Sequence, residues 1–429
     1  MFFNAYLRHQ IVFGMLKYIF TYMLLAVAVV AGAQSARSLS PTIKSPRVVL
    51  DDVWDAPLVM VLGSDDELHF SFDELSHIYR RYIYRIVHCN ADWTPSELPE
   101  IDYLEGFNGV PIEEWENSVN TTQLYTHYSF TLPNADVSLK LSGNYVIEVY
   151  EAESDGDLPV VRFEFSVVEP CVAIEAAVSG NTDISFNSVH QQLSFTVDYP
   201  SFVSAPASDL KPVVYQNRRR DTAVLGVAPT YVTSGRVEYV HNERLIFNAG
   251  NEYRRFELVD PNSPGEGVEE VVYVKPHYNA LLYVDKPRTS RSNYHDENGM
   301  SYINTLEGRG TEIEADYVYV HFALDAPYRA GGDYYLLGDF CNGLTPLTRL
   351  SYDAEGDYYF IAQQLKLGLY NYQYAWLPYG ATKVETASTE GNFFETENEY
   401  LIYIYYRGFA DRYDRLLGVH RINYSLESN

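Results

Sequence analysis

From about Ser45 onward the chain is written in short runs that alternate apolar and polar residues, with turn signals between them. Examples are DELHFSFDEL, RRYIYRIVHC, TTQLYTHYSFTLP and SGNYVIEVYEAESDGDLPVVRFEFSVVEP. In an extended strand successive side chains point to opposite faces, so period-two alternation marks a strand with one buried face. No stretch after Ser45 reads as a helix of more than two turns. The chain is therefore expected to be all-β. Its 39 tyrosines and aromatic content of 15% agree, because aromatic side chains fit a pleated, half-buried surface.

With 429 residues, the chain has room for two to four domains. The 41–169 block has the size and spacing of an immunoglobulin-like sandwich. It closes on a hairpin whose turn is Ser154-Asp155-Gly156-Asp157 and ends at Glu169-Pro170. A middle β block follows over 170–310. Its last part, Pro287 to Gly310, is rich in Ser, Asn, Asp and Gly and reads as a long loop or linker. A C-terminal β-sandwich is expected over 311–426, with a hairpin turn at Asp353 to Asp357. The expected architecture is thus a set of tandem sandwiches.

Residues 1–33 read as a secretory signal peptide. The apolar run Tyr18 to Val30 follows Arg8 and Lys17, and Ala31-Gly32-Ala33 forms a small-residue cleavage site before Gln34. The run is too short to span a bilayer, which takes about 20 apolar residues. A start at Met15 instead of Met1 gives a leader of ordinary length. No cysteine follows the cleavage site, so no lipid anchor is expected there.

The formal charge is −27, and the first 33 residues contribute two basic side chains and no acidic one, so it becomes about −29 without them. Such a chain is repelled by nucleic acid and by anionic membrane surfaces, and self-association is discouraged. The three cysteines, Cys89, Cys171 and Cys341, lie far apart and allow one disulfide at most. Packed cores must hold this fold together.

Four features invite a functional reading. Glu395, Glu397 and Glu399 alternate along what reads as one strand, so they share a face that runs on into Leu401, Tyr403 and Tyr405. Tyr400, Ile402, Ile404 and Tyr406 form the better core face. The glutamates lack the further oxygen ligands of a calcium loop and read as a solvated or partner-facing surface. His88-Cys89 sits in HCNADW, but neighbours on a strand point apart and form no dyad; a buried Cys and a turn at Asn90-Ala91-Asp92 are expected. Arg218-Arg219-Arg220 is the one dense basic spot, and reads as a solvated loop or a contact to an acidic partner. Trp93, Trp115 and Trp376 are candidates for sugar stacking, core packing or a protein interface, which sequence alone does not separate. The 11 histidines form no metal motif, and no nucleophile elbow, phosphate loop or dinucleotide fingerprint is present. No catalytic residue, metal or cofactor is assigned. The candidate partner-binding residues are Arg218, Arg219, Arg220 and Trp115.

Several runs, taken in order, resemble the type IX secretion system plug proteins. They are HCNADW, Leu104 to Asn108, Ser118 to Thr121, Tyr125 to Tyr128, Ser142 to Tyr145, Gly250 to Arg254, Leu365 to Tyr372 and Gly391 to Gly418. The resemblance implies a periplasmic, non-enzymatic protein. In that family the plug is held to sit at the periplasmic mouth of a very large outer-membrane β-barrel translocon and keep it shut when no cargo occupies it. The family has no catalytic residues to carry over. The C-terminal block also resembles the small sandwiches of glycogen-binding modules around Gly338-Asp339-Phe340. It lacks their usual sugar-stacking tryptophan after that run, which favours a scaffold. The alternative is a secreted carbohydrate-binding sandwich protein.

Overall fold

The structure is a computed structural model that describes residues 35–152, 158–308 and 310–426. The signal-peptide reading of 1–33 and the turn at Ser154 to Asp157 lie outside the described residues. Among those residues no helix exceeds four residues, and all layers are β-sheets. The fold is all-β, built as sandwiches in series.

The first sandwich places the sheet Ile43–Leu50, Leu68–Glu74, Thr126–Leu132, Glu114–Asn117 against a sheet ordered Ala36–Ser38, Val161–Val168, Gly143–Glu151, Tyr82–Cys89, Val110–Pro111. Alternation explains the packing. Leu68, Phe70 and Phe72 are fully buried, while His69 and Ser71 between them face outward and keep part of their exposure. The core is aromatic: Phe70 stacks on Phe130 at 4.9 Å and Phe72 on Tyr128 at 5.2 Å. Such ring pairs add roughly 0.5–1.5 kcal/mol beyond the area they bury.

The other two sandwiches depart from a linear division at 310. The strand Asn398–Tyr406, expected in the C-terminal block, is hydrogen-bonded between Leu210–Gln216 and Arg415–Tyr424. These three and Arg219–Leu225 form one sheet, packed on a sheet built from Ala173–Ser179, His190–Asp198 and Arg236–Tyr239. Conversely, Arg254–Leu258, Val268–Val274, His277–Leu282 and Ser301–Ile303, expected in the middle block, join Tyr317–Leu324, Tyr358–Lys366 and Gly368–Pro378 around the third core. The third sandwich is therefore inserted into the second, between Ile246–Asn248 and Asn398–Tyr406. Pro287 to Gly310 is not a linker but part of this insertion, and it contributes the strand Ser301–Ile303.

The chain crosses between the second and third sandwiches twice, and both crossings are clamped together. Thr396 Oγ1 donates to Gly250 O (2.8 Å), Asn398 Nδ2 to Ala249 O (2.8 Å) and Asn251 Nδ2 to Glu390 O (2.7 Å). Glu390 is fully buried and receives Arg254 (3.0 Å) and Arg288 (2.9 Å). Arg254 also reaches Asp285 at 2.6 Å. Buried charges persist only when paired and hydrogen-bonded, and here each is. The stretches Gly250 to Arg254 and Gly391 to Tyr400 thus carry the joint between two domains.

Candidate interaction surface

The strand Asn398–Tyr406 is buried along its whole length. Tyr400, Ile402, Ile404 and Tyr406 enter the second core, the face expected for them. Leu401, Tyr403 and Tyr405 pack with Val213, Tyr215 and Leu416 against Ala91 and Val168 of the first sandwich. The expectation of a wet glutamate face is corrected for Glu399, which is 1% exposed. It lies between Arg218 (Nε to Oε1, 2.9 Å) and Arg421 (Nε to Oε2, 2.6 Å). Glu397 meets His295 at 2.8 Å, and Glu395 keeps partial exposure ahead of the strand.

The arginine triplet is not a solvated loop. Asn217 and Arg218 adopt positive φ (49° and 58°) in the tight turn joining Leu210–Gln216 to Arg219–Leu225. That turn throws the three side chains in different directions. Besides Glu399, Arg218 donates to Asp55 O and to Ala56 O (3.2 Å) of the first sandwich. Burial works to lower its pKa, but the hydrogen bond and charge of Glu399 outweigh burial and raise it. Arg219 turns onto Asp221 through two hydrogen bonds (3.0 and 2.5 Å). Arg220 pairs with Glu164 of the first sandwich and lies 4.1 Å over the Trp93 ring. The acidic partners of all three arginines belong to this chain.

Further polar contacts fasten the first sandwich to its neighbours. Arg415 holds Glu169 through two bonds (2.7 and 2.8 Å), and Asp414, held by Lys211 at 2.7 Å, accepts the Ala91 N–H of the first sandwich at 3.1 Å. On the third-sandwich side, Asp73 receives Lys366 (2.7 Å), His127 (2.6 Å) and the Tyr317 hydroxyl (2.6 Å). Burial pulls the Asp73 pKa upward, but Lys366 and His127 overcome it and hold the carboxyl below its ordinary value. The three sandwiches are fixed to one another by charge-assisted contacts.

HCNADW proves structural. His88 is buried, with Nδ1 2.9 Å from Ser96 Oγ and Nε2 3.1 Å from Ser142 O. Cys89 is buried too, and burial pushes its thiol up to about 12. Cys89, Cys171 and Cys341 are all free, and Cys171 is exposed. Trp376 is a core residue, 4.8 Å from Tyr334. No three His, Cys, Asp or Glu side chains gather at metal-binding geometry among the described residues.

Trp115 is the candidate that stays at the surface. It sits on the edge strand Glu114–Asn117, 41% exposed, with Tyr79 5.0 Å away. It lines a cleft of about 820 Å³ between the outer face of the first sandwich and residues 302–303 and 310–313 of the third. Trp54 and Tyr302, 5.6 Å apart, face each other across these domains and both line the cleft. Glu113, Glu114, Glu116, Glu312 and Asp52 supply carboxylates to its walls. Trp54, Tyr302 and the glutamates were missed in the sequence reading; the Glu-Glu-Trp-Glu run at 113–116 was the visible signal.

Three joined sandwiches, with a cleft between the first and third, define a multidomain β protein. The model of the type 9 secretion system plug protein first domain matches residues 43–169, which is the first sandwich. The crystal structure of a hypothetical protein from Parabacteroides merdae is 40% identical, with a TM-score of 0.88 over 91% of this chain and 99% of that one. No curated protein matches. The chain belongs to the type 9 secretion system plug protein family.

Proposed function

We propose that this protein is a non-enzymatic periplasmic plug. It binds the periplasmic opening of a very large outer-membrane β-barrel translocon of type IX secretion and seals the pore while no cargo occupies it. Residues 1–33 act as its signal peptide, and the free protein is a monomer. The observation that carries this reading is the family match over 43–169. The buried ion pairs between the sandwiches add to it, because a body that blocks a pore must not flex open under a load. No helix among the described residues is long and apolar enough to cross a membrane.

The test is to capture tagged protein from detergent-solubilised outer membrane and identify what comes with it by mass spectrometry. Co-purification of a single giant β-barrel protein is the expected result. Recovery alone, or with polysaccharide only, overturns the reading.

A further inference from the structure

We propose that the free edge of Glu114–Asn117, beside Trp115, receives an extended segment of a partner protein carrying lysine or arginine at alternate positions. The inference goes beyond the plug reading, since it concerns the chemistry of the bound segment and stands or falls whatever protein supplies it.

Three independent observations converge on this edge. Glu114–Asn117 is hydrogen-bonded to Thr126–Leu132 on one side and ends its sheet, with no strand on the other side among the described residues. Unpaired backbone groups of this kind template the addition of a further strand. The edge carries aromatic surface on one face, Trp115 with Tyr79, and Glu114 and Glu116 on the other, so a segment alternating cationic and apolar side chains meets both. The charge around it is uncompensated. Glu113, Glu114 and Glu116 are exposed and form no ion pair among the described residues, and Arg47 is the one arginine or lysine in the cleft wall.

Charge also selects the occupant. Glutamates at alternate positions of an edge repel a second copy of the same strand, which protects it from self-pairing. The same glutamates attract a strand whose facing side chains are positive. A glycan is the other ligand that aromatic clefts take. The carboxylates here also accept from sugar hydroxyls, so polysaccharide retention is the outcome of the test that separates the two ligands.

The test measures binding of a short synthetic peptide alternating Lys and Val, and of its Glu-for-Lys counterpart, to the full chain by calorimetry. The Lys peptide should bind at least about tenfold tighter than the Glu peptide. The variant Glu113→Gln/Glu114→Gln/Glu116→Gln should lose about tenfold of that binding, and Trp115→Ala, which removes the surface under the valine face, about fivefold. A control with the same charge change at exposed sites elsewhere, Glu97→Gln/Glu105→Gln/Glu243→Gln, should bind as the parent does. All these positions are exposed, so an unchanged melting temperature shows that each variant is folded. The proposal is overturned if the Lys peptide does not bind, if the control triple loses as much as the cleft triple, or if polysaccharide retention is what Trp115→Ala abolishes. Failure here leaves translocon capture intact, and failure of that capture leaves peptide binding intact.

Discussion

Two stretches of this chain look alike on paper: Glu395-Thr396-Glu397-Asn398-Glu399 ahead of a tyrosine stripe, and Glu113-Glu114-Trp115-Glu116 on a short edge strand. Both set acids among polar or aromatic residues, the pattern of a wet strand face. Folding separates them. Glu399 is buried because the 217–218 turn delivers Arg218, and the neighbouring strand delivers Arg421, to its two oxygens. No basic side chain of the described chain pairs with Glu113, Glu114 or Glu116, and they remain in water. What decides between mortar and docking surface is therefore not the acid but whether the fold brings a cation to it. An acidic chain whose arginines are largely spent inside presents its unmatched carboxylates outward, which is where a basic partner would find them.

The sharpest way to break this comparison is to remove one carboxylate from each stretch. Glu399→Ala strands two arginines between the first and second sandwiches, and losing one partner of a buried ion pair costs about 3–5 kcal/mol. Glu114→Ala removes a side chain that touches little beyond Ser129 Oγ (3.3 Å) and should change stability by no more than about 0.5 kcal/mol. Urea unfolding followed by tyrosine and tryptophan fluorescence checks both. Equal losses would mean that Glu399 is no more structural than Glu114.

Alternation was enough to give the strands and their inward faces: Phe70 and Phe72 in the first core, Tyr400, Ile402 and Ile404 in the second. It carries no information on which strand pairs with which. Asn398–Tyr406 finds its partner Leu210–Gln216 almost two hundred residues back, so a division by position assigned it to the wrong core. Pro287 to Gly310 reads as a linker for a related reason. Its polar residues satisfy buried groups at the joint, as when Arg288 Nη2 donates to Glu252 O at 2.6 Å and Tyr294 OH to Tyr253 O at 2.8 Å. The candidate site was half legible. Trp115 was singled out, but its cleft needs the third sandwich beside it, and that juxtaposition is tertiary.

Asp296 supplies the intermediate case, a half-buried carboxylate that no Lys or Arg pairs with among the described residues. Burial, then the nearby charge of Glu252, push its pKa up to about 7, against which the backbone N–H groups of Asn298 (2.9 Å) and Tyr253 work only in part. A folded-state pKa above the unfolded value means the folded protein holds the extra proton. The associated stability is therefore complete below the unfolded pKa, near 3.8, and is lost as pH rises through about 7. Relative to Asp296→Asn, which cannot titrate, the parent should lose roughly 2–3 kcal/mol between pH 5 and pH 8. Denaturant titrations of both proteins at the two pH values measure it. Parallel pH profiles would place the proton elsewhere and remove the intermediate case.

The smallest effect expected is also the one that isolates docking from packing. Trp115→Ala deletes a large side chain, and in a core such a loss costs about 3–5 kcal/mol. Trp115 is not in a core. It is 41% exposed and leans on Tyr79, itself 48% exposed, so the variant should lose less than about 1 kcal/mol. Trp376→Ala gives the contrast, since Trp376 is 2% exposed and packed between Tyr334 and Arg329 (4.4 Å over the ring). Thermal melts of the two variants should separate clearly, with only Trp376→Ala lowering the transition by many degrees. A large loss at Trp115 would show that its ring supports the joint between the first and third sandwiches. The acid-and-aromatic edge would then belong with Glu399 as internal mortar, and no surface would be left for which its exposure had to be explained.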